Sequence, residues 1–181
     1  MTEFVILLDE NDHKVGVSEK MEAHLKAQRH RAFSVIIVNA KRELLLQRRA
    51  QQKYHSGSLW ANTCCGHPRP SESLAEAASR RLYEEMGIQC PLTEIFAFRY
   101  TVQLDHDLKS PNGLVENEYD HVFLGWCDDL QPQPDPQEVE DWQWMDLATL
   151  TQDIQAHPER YAYWFKILVK DPRLAEALEG K

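Results

Sequence analysis

The stretch Thr63-Cys64-Cys65-Gly66-His67-Pro68 and the helical run after it constrain this chain most. Two thiols, a glycine, an imidazole and a proline stand in consecutive order there. The run that follows, Glu72 to Met86, is predicted to be a helix. Leu74, Ala77, Ala78 and Leu82 make an apolar stripe at helical spacing. Ser73 and Glu76 fit a capping box, and Gly87 suits the C-terminal cap. Arg81 and Glu85 are four apart and share a face, whereas Glu84 points elsewhere. Taken alone, these charges read as an ion pair on a solvated helix.

The spacing says more. Five residues separate Gly66 from Glu72, and seven separate Glu72 from Arg80-Arg81-Leu82-Tyr83-Glu84-Glu85-Met86-Gly87-Ile88. This resembles the Nudix box, a loop-helix-loop that holds a divalent metal against a diphosphate. Arg81 stands where that box carries a glutamate. Glu85, beside Gly87, suits a hard cation such as Mg2+.

The rest of the chain alternates short strands with helices. Phe4–Leu8, Val15–Val17, Ala32–Val38, Glu43–Arg48, Phe96–Val102, Tyr119–Trp126 and Val139–Met145 read as strands. Asn39–Arg42 reads as a hairpin turn. A short piece at Trp60–Cys64 lies within a polar loop. Ser18–Lys20 opens a segment containing His24, Asp105–Gly113 is a loop, and Gln131–Gln137 is a proline-rich connector. Leu147–His157 and Pro158–Val169 read as helices, with a short tail after Pro172. The expected fold is α/β (α+β), a mixed sheet flanked by helices. Residues 1–181 suit one domain, with 146–181 as a C-terminal helical part packed on it.

Several classes are disfavoured. A net charge of -9 argues against nucleic acid, which needs a basic face. No stretch is long and apolar enough to span a bilayer. The start lacks a secretory pattern, so a cytoplasmic location is expected. Four cysteines, two of them adjacent, make neither a disulfide framework nor a zinc ribbon.

Glu116 and Glu118 would face the same way in an extended segment. Such a pair repels unless a metal or shared proton lies between, although two solvated charges at a loop end would look the same. His24, His30 and His67 stand out among eight histidines. Three imidazoles with two carboxylates suit Mn2+ or Zn2+. Six residues from His24 to His30 exceed one helical face, so the chain between them must bend if both serve one site. Cys65 is open to three roles: nucleophile, acid/base group or buried thiol. Cys90 and Cys127 read as ordinary buried thiols.

Asn62–Pro68, His30-Arg31-Ala32-Phe33 and Gly113-Leu114-Val115-Glu116-Asn117-Glu118 together resemble type I isopentenyl diphosphate isomerase, from Glu19 to Trp164. The resemblance implies a Nudix-like fold and interconversion of isopentenyl and dimethylallyl diphosphate. It implies that Cys65 is the acid/base thiol on one face of the alkene, with Glu118 on the other, assisted by Tyr100. His24, His30, His67, Glu116 and Glu118 would bind a protein-held Mn2+ or Zn2+. Glu85 would meet a Mg2+ carried by the diphosphate. Lys20, Arg49, Lys53 and Arg81 would hold the diphosphate, and Trp164 would lie against the hydrocarbon end. The implied partner is a small prenyl diphosphate; monomer and homodimer both remain open. A Nudix-type diphosphate hydrolase is the rival reading, favoured by Glu84-Glu85 and opposed by Arg81, Cys65 and the Glu-Asn-Glu motif.

Overall fold

The computed structural model describes residues 2–53, 55–104, 113–128 and 130–180. A hairpin of β1 (Phe4–Leu8) and β2 (Lys14–Glu19) leads into α1 (Lys20–Leu25). β3 (His30–Val38), β4 (Glu43–Arg49), the short β5 (Trp60–Ala61) and β6 (Cys64–Gly66) precede α2 (Leu74–Met86). β7 (Thr93–Gln103), β8 (Val115–Trp126) and β9 (Val139–Asp146) follow. The chain ends in α3 (Leu147–Ala156), a 3-10 turn at Pro158–Arg160, α4 (Tyr163–Lys170) and α5 (Pro172–Glu179).

All these strands join one mixed sheet, and β3 is its spine. One edge of β3 pairs with β8 in parallel along its whole length, from His30 opposite Glu118 to Val38 opposite Trp126. The other edge is shared in turn by β1, at Leu7 opposite His30, by β6, at Cys65 opposite Ser34, and by β4, at Leu44 opposite Val38.

Alternation along the strands divides the interior in two. Phe33, Val35 and Ile37 point to the face covered by α2, where they meet Ala77, Ala78, Leu82 and Met86. Ile36 and Val38 point the other way, onto Leu150, Phe165, Leu168, Leu174 and Leu178 of the C-terminal helices. The C-terminal helices therefore seal one side of the sheet.

Local chemistry sets the element ends. Ser73 and Glu76 form a reciprocal capping box, and Gly87 closes α2 at φ 67°. The helix begins at Leu74, two residues after the expected start, because Ser73 takes the cap. The expected helix from Pro158 is interrupted at Tyr161 and Ala162, which are buried between the 3-10 turn and α4. The expected tail after Pro172 is a helix: Asp171 caps it, Pro172 sits in its first turn, and Leu174 and Leu178 are buried. β8 starts at Val115, so Glu116 and Glu118 lie inside a strand and not at a loop end. The expected loop at Asp105–Gly113 falls, apart from Gly113, outside the described residues.

Candidate active site

The site begins where β8 changes character along one face. Glu116, Glu118, Asp120, Val122 and Leu124 alternate onto the side of the C-terminal helices. The last two are core. The first three are buried carboxyl groups at one wall of a cavity of about 540 Å³. His30 and Ser34 of the neighbouring β3 face the same way, because Ile36 and Val38 two and four residues on belong to that core.

Four side chains cluster at this wall, His67 and Glu118 in the cavity lining and His24 and His30 behind it. Single ligand atoms of His24, His30, His67 and Glu118 lie within 4.8 Å of one another. The bend between His24 and His30 is made after α1 ends at Leu25, with Ala27 at φ 51°. It brings the two rings to 4.7 Å between centroids, and His30 and His67 to 5.1 Å. Nδ1 of His24 meets the Lys20 carbonyl at 2.7 Å, and Nδ1 of His30 meets the Gln28 carbonyl at 2.8 Å. A carbonyl only accepts, so Nδ1 carries the proton and Nε2 of each neutral ring keeps a lone pair. Nε2 of His30 and Nε2 of His67 stand 3.2 Å and 3.0 Å from the same oxygen, Oε1 of Glu118.

A lone pair facing a carboxylate oxygen at that distance needs a proton or a cation between them. Ligands about 2.1 Å from a metal and adjacent in its shell stand about 3 Å apart, which matches this spacing. Burial pushes the His67 imidazole down to about 4, so it is neutral, as a metal ligand must be. The donor set and its backbone-fixed tautomers therefore fit a divalent cation.

Glu116 stands beside this cluster. Its Oε1 meets His55 Nε2 at 3.2 Å, and its Oε2 lies 3.3 Å from the Tyr100 hydroxyl. Tyr100 donates to Oε2 of Glu118 at 2.6 Å. Burial and the charge of Glu118 push Glu116 well up.

Across β3 lies the thiol. Cys64 and Cys65 are consecutive in β6 and point to opposite faces. Cys64 is buried in the α2 core, and Cys65 packs towards the cavity. All four cysteines are free. Burial pushes the Cys65 thiol up to about 12, against the pull of Arg49, so it keeps its proton at neutral pH. Arg49 lies 3.6 Å from its sulfur and also stacks on Trp164, 5.2 Å from the ring centroid. Trp164 is fixed by a hydrogen bond from its Nε1 to Asn62 Oδ1 at 3.0 Å.

Lys20, Arg49, Lys53 and Arg81 all border the same cavity. Lys20 pairs with Glu3 at 2.8 Å, and Lys53 pairs with Glu138. Arg81 reaches Glu84 at 3.0 Å, Glu138 at 3.1 Å and also Glu85. The other oxygen of Glu85 accepts from Gln47 at 2.9 Å. Arg81 thus bridges Glu84 and Glu85, and Arg80 reaches Glu84 as well, at 3.0 Å. Glu85, His24 and His30 lie behind the cavity lining; the other expected site residues border it.

Sequence reasoning missed His55, Asp120, Glu138 and Glu3. Asp120 accepts from Ser34 Oγ at 2.8 Å, and burial pushes its carboxyl well up. Only its place two residues beyond Glu118 could have drawn notice to it. His55 sits in a polar loop with no periodic signal.

The NUDIX domain family matches residues 28–166. An isopentenyl-diphosphate Delta-isomerase of Pectobacterium atrosepticum is 49% identical over 163 residues, 90% of this chain and 87% of that protein. Isopentenyl-diphosphate Delta-isomerase 1 of Aromatoleum aromaticum is 50% identical over 169 residues, 93% of this chain and 92% of that protein. Among solved structures, the DR0079 protein of Deinococcus radiodurans aligns with a TM-score of 0.75 at 19% identity, covering 93% of this chain and 98% of that one. A MutT protein from Methanosarcina mazei aligns with a TM-score of 0.64 at 20% identity, over 82% and 95%. Those two likenesses concern the fold.

Proposed function

The chain belongs to the isopentenyl-diphosphate Delta-isomerase family of the NUDIX fold, and from that premise we infer that it interconverts isopentenyl and dimethylallyl diphosphate. The observation that carries the reading is one cavity with a free thiol, Cys65, on one side of β3 and the Glu118–Tyr100 pair on the other.

An unactivated alkene is a weak base, so its protonation needs a close donor and leaves a tertiary carbocation. A different proton must then be removed from the neighbouring carbon. Cys65 and Glu118 supply the two groups, and each turnover moves one proton between them. The carbon skeleton and the diphosphate are unchanged. Exchange with water resets the pair. Tyr100 fixes the Glu118 carboxyl through its 2.6 Å bond. The Trp164 face stabilises the carbocation, and the C-terminal helices keep bulk water from capturing it.

A divalent ion, Mn2+ or Zn2+ by the donor set, would be held by His24, His30, His67 and Glu118, with Glu116 beside them. It would fix the Glu118 carboxyl group and tune its acidity. Lys20, Arg49, Lys53 and Arg81 would hold the diphosphate, and Glu85 behind them would be the carboxylate for a Mg2+ carried by it. The cytoplasm suits such a reaction; no helix among the described residues is long and apolar enough to cross a membrane.

The test is incubation with Mg2+ and isopentenyl diphosphate in D2O, followed by NMR with a parallel phosphate assay. Dimethylallyl diphosphate carrying deuterium, with no phosphate released, is expected. Phosphate release without deuterium exchange would instead make the chain a hydrolase.

A further inference from the structure

His55 is a buried imidazole outside the four-residue cation cluster. It is carried by the loop between β4 and β5, and that loop is wound tightly. Ser56 and Ser58 both have positive φ, at 52° and 65°. A Cβ on Gly57 would stand 2.6 Å from the Gln51 carbonyl oxygen. From this loop the His55 side chain is turned inward, 4% exposed.

Three parts of the cavity meet at this ring. Its Nε2 lies 3.2 Å from Oε1 of Glu116, and its Nδ1 lies 3.1 Å from Ser56 Oγ. Its plane is at 85° to the Trp164 indole, 5.8 Å between centroids, an edge-to-face contact. Its backbone carbonyl accepts from Nη2 of Arg49 at 3.3 Å, and Nη1 of the same guanidinium reaches the Cys65 sulfur. The acidic strand, the aromatic wall and the thiol's cation therefore share one support.

We propose that His55 is a positioning residue for the isomerisation, locking the Glu116–Tyr100–Glu118 wall to the Trp164 wall across the space where the alkene reacts. The proposal rests on the isomerase reading for its kinetic consequence. Glu116 is held on one side by His55 and on the other by the Tyr100 hydroxyl, which also orients Glu118. Loss of the imidazole frees Glu116 to turn, which disturbs the Tyr100 hydroxyl that it shares with Glu118. A side-chain substitution keeps the backbone carbonyl that holds Arg49, so diphosphate binding should persist while proton transfer slows.

Three variants separate this from plain packing. His55→Phe keeps a flat ring against Trp164 and removes the bond to Glu116. Its kcat should fall about 10–100-fold with little change in KM, as expected when a contact that positions the reacting groups is lost. His55→Gln offers either an amide nitrogen or an amide oxygen at the place of Nε2, so it suits whichever partner carries the proton. It should recover most of the loss. His55→Ala should lose both supports. Bound metal, measured by elemental analysis after loading with Mn2+, should stay the same in all three.

A wild-type kcat in His55→Phe would overturn the proposal. So would failure of His55→Gln to rescue, or loss of metal in step with activity, which would make His55 a ligand. A readout without substrate keeps the two claims apart. The 15N-indole resonance of Trp164, assigned through Trp164→Phe, should stay sharp in His55→Phe and broaden in His55→Ala. If the wild type fails to isomerise yet the indole behaves so, the reaction is wrong and the support is right. An indole indifferent to His55→Ala would remove the support itself.

Discussion

The Tyr100 hydroxyl lies 2.6 Å from Oε2 of Glu118, while Oε1 of the same carboxyl group faces two imidazole nitrogens. One side chain thus belongs both to the cation cluster and to the reacting pair. Tyr100→Phe should leave the cluster intact and loosen the catalytic oxygen. The expected result is a kcat lowered about 100-fold with unchanged metal content; an unaltered kcat would remove Tyr100 from the reaction.

Cys64 and Cys65 point to opposite faces of β6 and should respond differently. Cys65→Ala is expected to abolish turnover and leave the melting temperature nearly unchanged. Cys64→Ala should retain turnover and cost about 1 kcal/mol, the scale of a small core cavity. Urea denaturation beside a rate assay reads both, and inactivation by Cys64→Ala alone would reverse the assignment.

Arg81 should matter for stability and for substrate affinity together. Arg81→Ala strands the buried Glu85 without its cation, a loss of about 3 kcal/mol where a buried pair is broken. KM should rise more than tenfold as a diphosphate contact is lost. A variant as stable as the parent would mean that the ion pair contributes little.

Glu138 sets an acid limit. Burial would raise its carboxyl, but Lys53 and Arg81 outweigh it and hold the group at about 2. An unfolded glutamate titrates near about 4.3. Its contribution is therefore present above about pH 4.3 and is lost as the pH falls from there through about 2. Unfolding free energy against pH should fall less steeply over that window in Glu138→Gln than in the parent; parallel curves would contradict this.

Removal of the divalent ion should lower stability, because a cation that binds only the folded cluster adds to it by mass action. EDTA should depress the melting temperature, and Mn2+ or Zn2+ should restore it. His67→Ala should abolish that response. A parent protein indifferent to EDTA and to added metal would speak against the cluster as a cation site.

Legibility followed the range of the signals. α2 was readable because its stripe, its Ser73–Glu76 box and Gly87 are all local. β8 was cut short at its start because Glu116 and Glu118 look like surface residues, and only pairing with β3 hides them. The bend that joins His24 to His30 rests on Ala27 in the left-handed region, a conformation that its sequence does not announce. The expected site residues came from the resemblance to the isomerase family, carried by Asn62–Pro68, His30–Phe33 and Gly113–Glu118, and most of them border one cavity. His55 escaped because its neighbours are polar and its partners lie 61 and 109 residues further on, at Glu116 and Trp164. α5 was missed because Pro172 reads as a stop, yet it opens a helix whose leucines complete the core.

The parallel pairing of β3 with β8 has a consequence for folding. Side chains alternate, so a slip of one residue would turn Glu116, Glu118 and Asp120 out of the cavity and bring Asn117, Tyr119 and His121 in. Such a chain could bury nearly as much apolar surface, yet it would hold no carboxylate where His30 and His67 converge. The divalent ion can therefore act as a proofreader of strand register, rewarding the one alignment in which three separate stretches of the chain, 24–30, His67 and Glu118, arrive together.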